Sequence, residues 1–354
     1  MQAFRRIGIL TSGGDAPGMN AAIRAVTRAA LSNGVQVMGI FRGYSGLIDG
    51  DIRPLAVRDV SNIINRGGTM LYSDRCPEFK TPEGMQKAIE TCHRLGIDGI
   101  VAIGGDGTFR GATDLTMHGI PCIGIPGTID NDISSTDETI GFDTALNTVM
   151  EMVDRLRDTC ESHARCNVVE VMGRNAGDIA LRGAIASGAT ATVIPEMPFD
   201  KGALFAKIRR SKQLGKRNFL VIVSEGMGSD YAPTLAKEIE AETEVETKFA
   251  RLAHVVRGGI PTMRDRLLAS LMGEAAVDAL LAGKSNLVVC KIKGDIVLTD
   301  IRYALILDRM YKGKLKGGDL DDFTPEQIKS MEAACAEKKR ELAGMYHAQW
   351  RLSL

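Results

Sequence analysis

Ile125-Pro126-Gly127-Thr128-Ile129-Asp130-Asn131-Asp132 is the stretch on which the reading of this chain turns. An apolar run over 120–125 feeds into it, so its acids sit where a buried strand opens into a loop. Open α/β sheets bind ligands at such carboxyl ends of strands. In an extended segment alternate side chains point the same way, which predicts Thr128, Asp130 and Asp132 facing one site. Pro, Gly, Asn and Asp are also ordinary turn residues. Taken alone, the stretch reads first as a plain turn, and only its neighbours reverse that reading.

The pattern around it decides the fold class. Upstream, the apolar run 99–103 delivers Gly104-Gly105-Asp106-Gly107-Thr108, and the run 7–10 delivers Thr11-Ser12-Gly13-Gly14-Asp15-Ala16-Pro17-Gly18. A glycine-rich strand-to-helix turn can aim backbone N–H groups at a phosphate, although a tight βα connection also favours glycine. Strands are predicted at 7–10, 37–40, 99–103, 120–125, 167–171, 192–194, 219–224 and 287–290. Helices are predicted after Gly18, over 83–95, over 142–159, and in a stretch ending at Leu281. Strands alternating with helices indicate a doubly wound parallel sheet. The polar, acidic stretch 228–247 reads as surface, and 254–259 as loop.

Composition narrows the classes. A length of 354 residues suggests about two domains. The 44 basic and 44 acidic side chains balance, which gives no charge signature of a nucleic-acid or anionic-membrane partner. Seven scattered cysteines with no Cys-x-x-Cys pair argue against a disulfide framework or a zinc site. No run reaches the ~18 apolar residues of a membrane span, so the expectation is a soluble, cytoplasmic protein.

Two motifs are set aside. Ala282-Gly283-Lys284-Ser285 ends like a P-loop, but Asp278 stands where that motif needs glycine, and Gly283 reads as a helix stop. The basic run 207–217 reads as a solvated helix face, with an anion pocket at its end as the alternative. In the tail, Thr324 and Gln327 form a capping box with Pro325 at the first helical position. A terminal helix follows, docked on the surface or at a subunit contact.

Gly104 to Thr108 alone resembles a string shared by kinases of the NAD kinase and diacylglycerol kinase type. It speaks for nucleotide phosphates and magnesium more than for a substrate. Five segments in order, 11–20, 104–108, 126–132, 169–174 and 257–259, resemble ATP-dependent 6-phosphofructokinases of the bacterial type, over about residues 5 to 320. The resemblance implies two doubly wound Rossmann-like lobes with the active site in the cleft between them. Their expected composition is residues 1–141 plus 254–305 for the nucleotide and 142–253 plus 306–323 for the sugar phosphate, with 324–354 as a helical extension. It implies a homotetramer whose sites are completed by the neighbouring subunit.

The implied reaction is the glycolytic phosphorylation of fructose 6-phosphate at its 1-hydroxyl by Mg-ATP. Asp130 is the implied general base, Thr128 and Asp132 position substrate and metal, and Asp106 serves Mg²⁺. Gly14, Arg75 and Arg174 complete the implied catalytic set. Gly14, Tyr44, Arg75, Cys76, Gly105, Asp106, Gly107, Thr108 and Gly111 map to ATP. Thr128, Asp130, Asp132, Met172, Gly173, Arg174, Glu225, His254 and Arg257 map to the sugar phosphate. Arg165 and Lys248 are expected to reach it from a neighbouring subunit.

Pyrophosphate-dependent relatives carry Asp where this chain has Gly107, and Lys where it has Gly127. Two glycines therefore favour ATP. The alternatives are a pyrophosphate-dependent kinase and a non-catalytic sugar-phosphate sensor or regulatory subunit. Retention of Asp106, Asp130 and Asp132 speaks against the sensor. Three positions depart from the family pattern. Lys248 replaces an arginine and loses its bidentate fork. In the effector pocket Arg24, Arg28, Arg157, Lys216 and Arg217 are kept, but Val57 replaces an arginine and Thr190 a glutamate. Weakened effector control is the expected result: millimolar ADP should leave a sigmoidal fructose 6-phosphate rate curve sigmoidal, and a clear straightening would contradict this.

Overall fold

Apolar runs without polar alternation become strands buried on both faces, as parallel strands flanked by helices are. The computed structural model describes residues 4–353. The chain opens with β1 (Arg6–Ser12), α1 (Met19–Ser32), β2 (Gln36–Ile40), α2 (Gly43–Asp49), β3 (Ile52–Leu55), α3 (Pro82–Leu95), β4 (Gly99–Gly104), α4 (Asp106–Met117) and β5 (Cys122–Pro126). Next come α5 (Phe142–His163), β6 (Cys166–Val171), α6 (Asp178–Ser187), β7 (Ala191–Val193), α7 (Lys201–Gln213), β8 (Phe219–Ser224), α8 (Tyr231–Thr243) and β9 (Thr247–Arg251). It closes with α9 (Met263–Leu281), β10 (Leu287–Ile292), β11 (Asp295–Asp300), α10 (Ile301–Tyr311) and α11 (Pro325–Leu352).

The first of two compact units runs to Ile129 and adds Ile133–Thr144 and Arg257–Glu332. Its sheet has the order β11-β10-β5-β4-β1-β2-β3. The five inner strands pair in parallel, as expected from the βα alternation. Both edges are antiparallel and went unread in the sequence. The β10–β11 turn explains its edge: Lys293 and Gly294 both take positive φ, 51° and 98°. A two-residue link of that kind forms a hairpin and cannot join parallel strands. Register aligns Ser12 with Gly104 and Gly104 with Pro126. Three loops thus leave the sheet along one line. Beneath them α1 packs on α9, closely enough that a Cβ on Gly273 would meet Ala25 Cβ at 2.7 Å.

The second unit comprises Asp130–Asp132, Ala145–Val256 and the chain from Ala333. Its four-stranded sheet, β7-β8-β6-β9, is parallel throughout. The stretch read as polar surface, 228–247, instead holds α8 and leads into β9. Ala232, Leu235, Ala236 and Ile239 are buried, an i, i+3, i+4, i+7 stripe masked in the sequence by the acidic residues on the other face.

The expected partition also shifts. Residues 306–323 fall in the first unit, because Ile301 and Ala304 of α10 join the core around Phe109, and Asp308 accepts from the Ser134 hydroxyl at 2.9 Å. The tail is no separate unit: the division falls after Glu332, inside α11. The capping box forms, with Thr324 N–H donating to Gln327 Oε1 at 2.9 Å and Gln327 N–H to Thr324 Oγ1 at 3.3 Å. The basic run is not wholly solvated. Lys207 donates to Trp350 O at 3.1 Å and Ser353 Oγ at 2.5 Å and lies 4.1 Å over the Trp350 ring. Burial, then Lys216, pushes its ammonium down to about 8.

The start of α5 hangs on a buried carboxylate. Asp265, in the first turn of α9 and 1% exposed, accepts from Gly141 N–H at 2.9 Å, Thr144 N–H at 2.8 Å and the Thr144 hydroxyl at 2.5 Å. Removing the acceptor orphans buried donors, so Asp265→Ala should lower unfolding free energy by about 2–4 kcal/mol. Urea denaturation followed by circular dichroism measures it.

Candidate active site

In the first unit the ends of β1 and β4 build a glycine-lined rim. Thr108 Oγ1 donates to Ser12 O at 3.1 Å. A Cβ on Gly104 would collide with that carbonyl and with the Thr108 side chain, so only glycine lets the two loops close. Gly105 precedes α4, and a Cβ on Gly105 or Gly107 would meet nothing within 4 Å. Backbone N–H groups at such a helix start are available to phosphate oxygens. Asp106 lies in the first turn and pairs with Arg110 at 2.8 Å, its side chain one-third exposed. The pair follows the i, i+4 rule and was readable from the sequence.

Tyr44 is buried beneath this rim. Its hydroxyl donates to Thr108 O at 2.6 Å, and its ring stacks on Phe79 at 4.1 Å. Burial raises its phenol well above the ordinary range. Gly111 faces the same ring, since a Cβ there would lie 2.7 Å from Tyr44 Cζ. Arg75 is exposed and Cys76 half-buried. Arg257, mapped to the sugar, belongs to the first unit. Its guanidinium packs on Gly14 and donates to Asp15 O at 3.4 Å.

The opening stretch is not extended to its end. β5 stops at Pro126 and Ile129 and Asp130 turn. Asn131 takes φ 50°, which breaks the expected alternation of Thr128, Asp130 and Asp132. Thr128 is held in the first unit: its N–H donates to Ile140 O at 3.1 Å, and its carbonyl accepts the Thr139 hydroxyl at 2.6 Å.

In the second unit the ends of β6 and β8 gather a second group. Asp130, 1% exposed, lies 3.1 Å from Arg174 Nε. Gly173 and Arg174 both take positive φ, 144° and 52°. Glu225 Oε1 fixes that turn by accepting from Gly173 N–H at 3.1 Å and Arg174 N–H at 2.7 Å. Met172 is buried beside it, and Asp132 is half-buried. His254 is exposed, beyond the end of β9. Glu170 and Arg251, missed in the sequence, clamp this side through contacts of 2.6 and 3.2 Å.

Arg165 and Lys248 lie elsewhere. Arg165 precedes β6, and Lys248 is the second residue of β9. Both stand at the amino-terminal edge of the sheet, opposite Met172–Arg174. Glu246 joins them, 2.6 Å from Arg165 Nε and 2.9 Å from Lys248 Nζ. Hydrogen bonds from Arg165, then Lys248, hold its carboxyl down to about 2. Of the two residues expected to depart from the family's effector pocket, Val57 is exposed and Thr190 buried, its hydroxyl accepting Leu220 N–H at 3.3 Å.

The phosphofructokinase family model covers residues 6–280. The chain belongs to the phosphofructokinase family. It is 54% identical over 298 residues to the ATP-dependent 6-phosphofructokinase of Bacillus pumilus, covering 84% of this chain and 93% of that protein. With the enzyme of that name from Bacillus subtilis it shares 54% over 283 residues, 80% of this chain and 88% of the relative. The solved phosphofructokinase of Saccharomyces cerevisiae superposes with a TM-score of 0.85 at 31% identity. That match takes in 98% of this chain but 50% of the yeast chain, so the present chain spans half the yeast one. In this phosphofructokinase, Gly111→Ala should push on the buried Tyr44 ring and cost about 1–3 kcal/mol of stability. Thermal unfolding with van't Hoff analysis checks it.

Proposed function

We propose that the chain transfers the γ-phosphoryl group of ATP to the 1-hydroxyl of fructose 6-phosphate, giving ADP and fructose 1,6-bisphosphate. The observation carrying this reading is the buried Asp130 carboxylate 3.1 Å from the Arg174 guanidinium. Asp130 accepts the hydroxyl proton as the sugar oxygen attacks phosphorus, and the bond to the ADP oxygen breaks. Arg174 supplies a countercharge beside it. Phosphoryl transfer depends chiefly on positioning and charge neutralisation, which suits a base pinned by a cation and a turn pinned by Glu225. The names of the Bacillus relatives support the same reaction.

Gly14, Gly105, Gly107 and Thr108 hold the ATP phosphates through backbone and hydroxyl, with Arg75, Cys76 and the Tyr44–Gly111 packing on the nucleotide side. Met172, Gly173, Glu225, His254 and Arg257 serve the sugar phosphate, with Thr128 and Asp132 positioning it. Mg²⁺ is commonly held by one or two carboxylates plus substrate phosphates. Asp106 fits that pattern: it is a single, partly exposed carboxylate on the glycine-lined rim. Bound with ATP, the ion neutralises phosphate charge. Arg165 and Lys248, at the far edge of their sheet, serve the sugar phosphate of a neighbouring copy in a homo-oligomer, as a tetramer would arrange.

ATP is the donor in this reading. Open space over Gly107 accommodates a phosphate that an aspartate there would crowd. At Gly127 a Cβ would already stand 3.0 Å from Ile103 Cγ2 and 3.1 Å from Met19 Cε, a tight start for a lysine. A coupled assay with fructose 6-phosphate and Mg²⁺, offering ATP and pyrophosphate in parallel, tests both points. Turnover with ATP is expected, falling by roughly 10²–10⁴ in Asp130→Asn. Turnover with pyrophosphate only would overturn the donor, and none with either would favour a sensor.

A further inference from the structure

We infer that Glu246 is a built-in counter-anion for the Arg165–Lys248 pair, one that an incoming sugar phosphate must displace, and that it thereby sets the affinity of this phosphofructokinase for its sugar substrate. The inference rests on the reading of Arg165 and Lys248 as phosphate ligands.

Strand register creates the arrangement. Cys166 pairs with Thr247 across the β6–β9 ladder, and Cys166 N–H donates to Glu246 O at 2.9 Å. Arg165, one residue before Cys166, is therefore beside Glu246. Lys248 lies two residues beyond Glu246, on the same side of an extended chain. One carboxylate oxygen takes each cation, Oε2 the Arg165 Nε and Oε1 the Lys248 Nζ.

The clamp is open to an incoming anion. Side-chain exposure is 28% for Arg165, 42% for Glu246 and 56% for Lys248. A phosphate monoester offers the same two donors more oxygens and up to two negative charges against the carboxylate's one. Exposed ion pairs are individually weak, so the carboxylate is displaceable and acts as a modest brake. Its carboxyl, held down to about 2, stays ionised at any working pH.

Steady-state kinetics of the full chain with Mg-ATP and fructose 6-phosphate test this. In Glu246→Gln the half-saturating fructose 6-phosphate concentration should fall about three- to tenfold at low ionic strength. The turnover number and the KM for ATP should stay within about twofold, and the gain should shrink as salt screens the cations. Glu246→Asp, too short to hold both cations, should fall between. A role confined to holding the sheet would instead lower the unfolding midpoint and move both substrates together. An unchanged or raised half-saturating concentration in a folded Glu246→Gln protein overturns the inference. Should the wild type not turn over fructose 6-phosphate at all, the functional reading fails on its own. Calorimetric binding of inorganic phosphate then decides the clamp: tighter binding in Glu246→Gln supports it, and equal or weaker binding refutes it.

Discussion

The hydroxyl of Thr108 reaches the carbonyl of Ser12 across a residue that has no side chain. A Cβ on Gly104 would stand in that gap, and the two loops would be forced apart. Much of the first unit follows from this closure. It requires β1 and β4 to end in register, which the pairing of Ser12 with Gly104 provides. The pairing of Gly104 with Pro126 brings in the third loop. The first turn of α4 is then presented at the rim with its glycines uncovered, and Tyr44 supports it from below through the Thr108 carbonyl.

The second unit solves a different problem, holding an acid in a buried place. Asp130 is nearly inaccessible, and an ionised carboxylate so placed needs a partner. Arg174 answers, from a turn with two successive positive-φ residues that Glu225 ties down by two backbone hydrogen bonds. Strain in that turn is balanced by those bonds, and from it the Arg174 guanidinium reaches Asp130 at 3.1 Å. A carboxylate, a cation and a second carboxylate beneath the turn form one chain of dependence.

Legibility in the sequence varied by the kind of signal each element carries. Buried parallel strands were readable because runs such as 7–10 and 99–103 leave no polar alternation to interpret. The capping box at Thr324 was readable because both halves lie three residues apart. The antiparallel edges, β3 and β11, were not; at β11 the sense is set by a two-residue turn whose positive φ at Lys293 and Gly294 emerges only in the folded chain. α8 was hidden because its acidic face outweighs a stripe of alanine, leucine and isoleucine. At the site, the residue pattern offered the acids of 130–132 and the glycines, whereas Arg174 and Glu225 were placed by resemblance, and the work of Glu225 on the turn emerged from geometry. Arg257, mapped to the sugar by resemblance, packs on Gly14 in the first unit, a contact that no local pattern announced.

The sequence by itself determined the class of fold and where its acids and glycines gather at strand ends, because local patterns of apolar runs, glycines and acids specify strand, turn and charge. Only the tertiary structure decided the partnerships. Glu246 meets Arg165 across 81 positions of chain and Asp130 meets Arg174, through strand register and loop closure that no local pattern encodes. An ion pair depends on distances of a few ångströms, and such distances between remote residues exist only once the sheets have formed.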